Sequence, residues 1–246
     1  MSPNKVVAVH QPNYLPWLGF FDKVSKADIL ILMDNVQYPK RSWTNRTRVR
    51  SQDGGAWLTV PVKVKGRYHQ LISEVEILYE EDWVGQHLKT LERVYGRLPF
   101  YSEIYGHVET ILTQRTTQLA LLNTEIIRMV CSFLAVDVQF VSARDLSVSG
   151  KATDLLIGLT KAVGGTTYLS GEGGRDYQDD SRFKTAGLEL CYQCFEHPEY
   201  DQNVGLFVPG LSIFDVVCNC GTSWASGFLC ASKSKFFREA DFFPTS

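Results

Sequence analysis

Two short apolar runs that do not alternate, Val6-Val7-Ala8-Val9 and Ile29-Leu30-Ile31-Leu32-Met33, bracket a stretch where Leu18, Phe21 and Val24 recur three apart, with Phe20 and Ala27 beside them. Unbroken apolar runs are the signature of strands covered on both faces, and the three-residue spacing is helical, with Pro16 where a first helical turn tolerates proline. Residues 1–34 therefore predict one βαβ unit with parallel strands. Strands joined by such a crossover end on the same edge of a sheet. His10-Gln11 and Asp34 are thus expected to emerge side by side at the carboxyl edge, where open α/β sheets place their ligands.

The pattern then changes. Ser51-Gln52-Asp53-Gly54-Gly55 is a turn signal between residues 47–50 and a strand over 56–64, which predicts a hairpin, and residues 72–78 read as a partly exposed strand. From 82 to 128 the spacing is helical. Val84, Leu88, Leu91 and Val94 form one face, ended by Gly96, and Leu119, Leu122, Ile126 and Val130 form another. The α/β alternation resumes with strands over 138–141, 166–170 and 188–195 and helices over 153–163, 177–186 and 212–219, the last capped by Ser212 and stopped by Gly221. The fold class is α/β: a Rossmann-like wound, mainly parallel sheet with a β-hairpin extension and an inserted helical layer. Residues 1–80 form the βαβ unit plus hairpin, 82–135 the inserted layer, 136–221 the second α/β half and 222–246 a tail, within a single domain. The tail's Lys235-Phe236-Phe237 and Asp241-Phe242-Phe243 suggest docking onto the body or a partner.

Composition narrows the class of partner. The chain has 246 residues, 44% of them hydrophobic, and a net charge of −2, which fits a globular protein whose main partner is neither nucleic acid nor a membrane. The amino terminus lacks an apolar signal segment, and no apolar run approaches the roughly 20 residues that span a bilayer, so a cytoplasmic location is expected. Six cysteines, at 131, 191, 194, 218, 220 and 230, are then expected to be reduced. Cys191 and Cys194 lie three apart in a strand and so point to opposite faces, which favours buried structural thiols over a metal site; no metal ligand is assigned.

The candidate chemistry gathers at strand ends. After Asp34 the chain packs five cations between Lys40 and Arg50, interleaved with Trp43 and Asn45, a pattern suited to phosphate or carboxylate. Gly171-Glu172-Gly173-Gly174-Arg175 follows a strand, where bare backbone could approach a phosphate, but it lacks the Lys-Ser/Thr ending of a Walker loop and the full dinucleotide fingerprint. Glu196-His197-Pro198-Glu199-Tyr200-Asp201-Gln202 leaves the next strand as a second polar constellation, and Asp215 sits amid apolar neighbours.

The motifs resemble those of the WbqC-like family. The likeness is carried by His10-Gln11-Pro12-Asn13-Tyr14-Leu15-Pro16-Trp17-Leu18-Gly19-Phe20-Phe21-Asp22-Lys23, Asp34-Asn35-Val36-Gln37-Tyr38, Trp43-Thr44-Asn45-Arg46 and Trp57-Leu58-Thr59-Val60-Pro61-Val62. Later it continues through Tyr168-Leu169-Ser170-Gly171, His197 to Gln202, Leu211-Ser212-Ile213-Phe214-Asp215, Asn219 and Gly221. The resemblance implies a place in O-antigen or natural-product pathways and transfer of glycine or another aminoacyl group to an amine. Such a reaction needs a base, oxyanion donors and an anion site. The candidates are His10 or His197 as base, Asp34 or Asp215 as its orienting carboxylate, Gln11 and Asn45 as hydrogen-bond donors, and Lys40, Arg46 and Arg175 as anion anchors. Tyr14, Gln37, Trp43, Ser170, Gly171, Tyr200 and Gln202 complete the candidate substrate contacts. The expected partners are a small-molecule amine and an acyl or aminoacyl carrier protein whose phosphopantetheine thioester is the donor. Two other readings stand beside it. Nucleotidylyl transferases are similar in architecture, although this chain has one histidine where they have a pair, and Ser232-Lys233-Ser234-Lys235 only echoes their second motif. A non-catalytic pathway-binding protein is the third.

Overall fold

The computed structural model describes residues 4–232 other than Asp53, Tyr177 and Val204, together with the backbone of residues 236–238. In chain order the elements are β1 (Val6–His10), α1 (Leu18–Ser25), β2 (Ile29–Leu32), β3 (Arg46–Ser51), β4 (Gly54–Thr59), α2 (Trp83–Tyr95), α3 (Tyr105–Thr113), α4 (Leu119–Phe133) and β5 (Gln139–Ser142). They continue as α5 (Ala152–Ala162), β6 (Thr167–Ser170), α6 (Asp180–Thr185), β7 (Glu189–Gln193), α7 (Ile213–Cys220), α8 (Thr222–Ser232) and β8 (Phe236–Arg238). The main sheet runs β5-β2-β1-β6-β7-β8, parallel except for the β7–β8 pair, and β3 and β4 form a separate antiparallel hairpin. The fold class is thus the one the hydropathy pattern predicts.

The unbroken apolar runs are explained by cover on both faces. Val7 and Val9 of β1 with Ile29 and Ile31 of β2 pack against Leu155, Leu156 and Leu159 of α5 and Phe183 of α6. Ala8, Leu30 and Leu32 face the opposite way, into a core built from α1, the hairpin, α2, α3, α4, α7 and α8. From β1 the chain winds outward to β2 and β5, then returns to the other side of β1 for β6 and β7. The direction of winding therefore switches between β1 and β6, and their carboxyl ends diverge there to leave a crevice.

Three local expectations are corrected. Residues 72–78 are a 3-10 turn, Ile72–Glu74, followed by single bridges at Glu76 and Ile77, because Ile72 and Val75 are both drawn into the core, a spacing that alternation forbids. The second hairpin strand ends at Thr59 rather than reaching residue 64: the Val60 amide still donates to Asn45 O, but Pro61 cannot donate to a ladder and Val62 bridges to Ile77 instead. The inserted layer has three helices, and the inward face of α2 is Trp83, Val84, His87, Leu91 and Tyr95, with Leu88 and Val94 at its margin. Part of the tail is integral: α8 buries Ala225 and Leu229 in the core, and β8 extends the sheet. Lys233, Lys235 and the Asp241-Phe242-Phe243 segment lie outside the described residues, as does Tyr177 of the expected helix over 177–186. Among the described residues no helix is long and apolar enough to cross a membrane.

α1 is buried along its whole length although it carries Asp22 and Lys23, with Lys26 at its end. Asp22 is fully partnered: Lys26 Nζ lies 2.7 Å from its Oδ2, Gln193 donates to the same oxygen at 2.7 Å, and Ser232 donates to Oδ1 at 2.5 Å. This pair ties α1 to the end of β7 and to α8. Removing one member of a buried pair strands the other, so Asp22→Ala is expected to lower the unfolding free energy by about 3–5 kcal/mol, whereas the double change Asp22→Leu with Lys26→Met recovers most of that loss. Urea unfolding of the two variants checks both signs.

Candidate active site

The turn after β1 is held from three sides. Leu15 adopts a left-handed backbone, φ 41°, and its carbonyl accepts from Thr47 Oγ1 at 2.8 Å and Ser212 Oγ at 3.0 Å. Asn123 of α4 donates to the carbonyls of Pro12 at 2.8 Å and Thr44 at 2.7 Å, and the Tyr14 amide donates to Trp43 O. Gly19 allows the Trp17 indole to lie against α1, since a Cβ there would meet the ring at 2.4 Å. The hairpin, α4 and α7 therefore fix the strained turn that carries His10 and Gln11 out of β1.

At the β1–β6 switch point lies a cavity of about 790 Å3, lined by His10, Gln11, Asn13, Lys23, Gln37 and Trp43 on one side and by Ser170, Gly171, Gly173, Gly174 and Gln178 on the other. Val9, Met33, Leu155, Leu156 and Tyr168 supply its apolar wall. Gly171 and Gly173 have open space where a Cβ would project, whereas a Cβ on Gly174 would meet Ser170 Oγ at 2.1 Å. The glycine-rich segment is a 3-10 turn that lets backbone form the cavity wall. Trp43, 40% exposed, stands at the rim against Trp57 with 5.0 Å between ring centroids.

The ionisable groups in this cavity are tuned by burial. The Nδ1–H of His10 donates to the Gln11 carbonyl at 2.9 Å, which leaves Nε2 as a lone-pair acceptor. Burial, aided by the nearby Lys23 charge and opposed by the Gln11 hydrogen bond, lowers the His10 pKa to about 3, so the ring is neutral across the physiological range. Lys23, 4% exposed, donates from Nζ to Val9 O at 2.9 Å, and burial lowers its pKa to about 7. No carboxylate lines the cavity among the described residues.

The sequence-predicted residues divide into separate groups. His10, Gln11, Gln37, Trp43, Ser170 and Gly171 come together in the switch-point crevice. Asp34 does not join them: its carboxylate accepts from Ser142 Oγ at 3.0 Å and from the Arg144 amide, holding the end of β5. Asp215, Tyr200 and Gln202 form a second cluster with Arg50. Tyr200 and Gln202 donate to Asp215 Oδ2 at 2.7 and 3.1 Å, and Arg50 donates to Gln202 Oε1 at 2.9 Å, beside a cavity of about 480 Å3 that shares no lining residue with the crevice. Burial raises the Asp215 pKa against the opposing bonds from Tyr200, Tyr95 and Gln202 and the Arg50 charge. His197 lies apart from His10, in an aromatic surround of Trp17, Phe195, Tyr200 and Phe207; its Nδ1 donates to Pro198 O at 2.9 Å and burial lowers its pKa.

The expected anion anchors are engaged with aromatic rings. Arg46 lies 4.1 Å over Trp57, Lys40 5.1 Å over Tyr68 and Arg175 4.9 Å over Tyr192. Asn45 is buried and donates to Val60 O at 3.0 Å. Tyr14 is buried against His87, 3.0 Å from its Nδ1, and burial raises its pKa well above the usual phenol range. Among the cysteines, burial first of all pushes the Cys131 and Cys220 thiols up to about 12 and about 11. Sequence reasoning missed Lys23, together with Asn13 and Gln178. In the sequence Lys23 looks like the solvent face of an amphipathic helix; the signal against that reading is the company of Leu18, Gly19, Phe20, Phe21 and Val24, which leaves the helix no broad polar face.

Residues 11–226 match the model of the WbqC-like protein family. Over 219 residues the chain is also 35% identical to the uncharacterized protein Rv1507c of Mycobacterium tuberculosis, an alignment that covers 88% of this chain and 94% of that protein.

His87 tests the burial of neutral imidazole in this core. Burial lowers its pKa to about 4, so between the unfolded value near 6.5 and pH 4 the unfolded chain binds the proton that the folded chain refuses. Stability should therefore fall as pH drops through that window, by up to about 1.4 kcal/mol per pH unit per such group, and His87→Gln should flatten the slope. Urea midpoints measured from pH 7 to pH 4 decide this.

Proposed function

We propose that this chain, which belongs to the WbqC-like protein family, is an acyl or aminoacyl transferase that forms an amide on an amino group of a sugar nucleotide or natural-product intermediate. The observation that supports this most is the composition of the switch-point crevice: a neutral imidazole, a buried amine, the carboxamides of Gln11, Asn13, Gln37 and Gln178, and an apolar wall. An acceptor amine must lose a proton to react, and His10 Nε2 can accept a hydrogen bond from it without carrying charge. The donor arrives as a thioester on a phosphopantetheine arm, which the long apolar wall of Leu155, Leu156 and Met33 would accompany.

In the reaction the amine nitrogen attacks the thioester carbonyl carbon and forms the C–N bond. The carbonyl oxygen becomes an oxyanion, for which the Gln11 and Asn13 carboxamides are the nearest candidate donors. A neutral base of the crevice takes the proton from nitrogen, the C–S bond breaks, and that proton goes to the leaving sulfur. Amide and free thiol are the products. Direct attack is favoured over a cysteine intermediate because no cysteine lines the crevice among the described residues. Arg46 and Arg175, stacked on aromatic rings, are assigned to the surface around the mouth of the site rather than to its floor.

The test is a binding comparison by calorimetry of ATP, CTP, a nucleotide-linked amino sugar and an aminoacyl carrier protein, each against the unaltered protein and Gln11→Ala. Binding of the amino sugar or the loaded carrier, weakened at least tenfold by Gln11→Ala, is the expected result. Tight magnesium-dependent binding of ATP or CTP alone would transfer the crevice to nucleotidyl transfer instead.

A further inference from the structure

Among the ionisable side chains of the crevice, Lys23 is the one whose presence the fold does not explain. Asp22, its neighbour on α1, points into the network of Lys26, Gln193 and Ser232, roughly 100° around the helix. Lys23, on a different side of the helix, lines the switch-point cavity, where its Nζ donates to the Val9 carbonyl at 2.9 Å. Among the described residues the titratable groups that share that cavity are His10 from β1 and Tyr168 from β6, and neither supplies negative charge at neutral pH. A buried ammonium without a carboxylate is costly, and a methionine or leucine would fill the same volume on an otherwise apolar helix.

We propose that Lys23 is the base of the crevice: its ε-amine takes the proton from the acceptor amine as the C–N bond forms and hands it to the departing sulfur. The assignment rests on the acyl-transfer reading and names the group that reading leaves open. His10 is the weaker candidate. Its conjugate acid, with a pKa of about 3, would release the proton at once, whereas the Lys23 pKa of about 7 lets the amine be neutral in about half of the molecules at pH 7. A surface lysine near 10.4 is neutral in roughly one molecule in 2,500 at that pH. His10 then acts as a positioning residue, its Nε2 orienting the acceptor toward the carbonyl while Lys23 takes up the proton.

Two measurements separate this role from the reaction it serves. Trace labelling of the whole protein with acetic anhydride from pH 5 to pH 10, read by mass spectrometry, should show Lys23 gaining reactivity around pH 7, well below the pH of about 10 at which an unperturbed lysine gains it. If Lys23 gains reactivity only near pH 10, as an unperturbed lysine does, or is unlabelled at every pH, the base assignment fails whatever the reaction. With a donor and acceptor that turn over, Lys23→Met and Lys23→Arg should each lose at least about a hundredfold in kcat with little change in acceptor KM, and the acidic limb of the kcat/KM profile near pH 7 should disappear. Full turnover in Lys23→Met with that limb retained would overturn the assignment while leaving acyl transfer intact. A Lys23 that titrates near neutrality in a protein that turns over no acyl donor would instead overturn the transfer reading and this role with it.

Discussion

Burying a helix that carries three charges is the constraint on which the rest of this structure depends. α1 lies beneath the main sheet with every residue covered, so each of its charges must be answered from within. Asp22 and Lys26 answer one another, and the donors that complete the pair come from β7 and α8, elements distant in sequence. The carboxyl-terminal half of the chain is thereby registered against the first βαβ unit. Among the described residues Lys23 Nζ donates to a backbone carbonyl and meets no carboxylate, and it lines the switch-point cavity at the carboxyl edge of the sheet. Two of the three charges hold the assembly together and the third lines the switch-point cavity.

The winding of the chain decides where that place is. Because the strand order reverses direction between β1 and β6, the turn carrying His10 and Gln11 and the glycine-rich turn after Ser170 part company there, and the crevice opens between them. The hairpin, α4 and α7 act as a clamp on the first turn through Thr47, Asn123 and Ser212. The second polar cluster, Arg50 with Gln202, Tyr200 and Asp215, sits on the hairpin side of that clamp and links β3 to the segment before α7. Both groups of motif residues are therefore connected through the hairpin although they line different cavities.

Much of this was legible in the sequence, for physical reasons that differ by element. Unbroken apolar runs announced β1 and β2 because cover on both faces leaves no polar alternation. The ends of those strands could be foreseen as a ligand edge because parallel crossovers bring them together. Residues 72–78 misled because a 3-10 turn can bury Ile72 and Val75 without strand pairing. Asp34 was placed at the correct edge, but its use by Ser142 and Arg144 depends on β5, a strand more than 100 residues further along the chain. The cations of the basic stretch were visible and their stacking on Trp57 and Tyr68 was not, since ring contacts are set by tertiary approach. Lys23 was hidden by its resemblance to an ordinary solvent-facing lysine.

The central claim is that ligand chemistry belongs to the crevice between β1 and β6 rather than to the cavity beside Arg50 and Asp215. The most direct measurement is a crystal structure of the protein with an aminoacyl-pantetheine thioester analogue that cannot be cleaved. Density along Leu155 and Leu156, with the carbonyl group within hydrogen-bond reach of Gln11 and a free path to Lys23, is the predicted result. Density confined to the cavity of Arg50, Gln202 and Asp215, with the switch-point crevice holding only solvent, would contradict it.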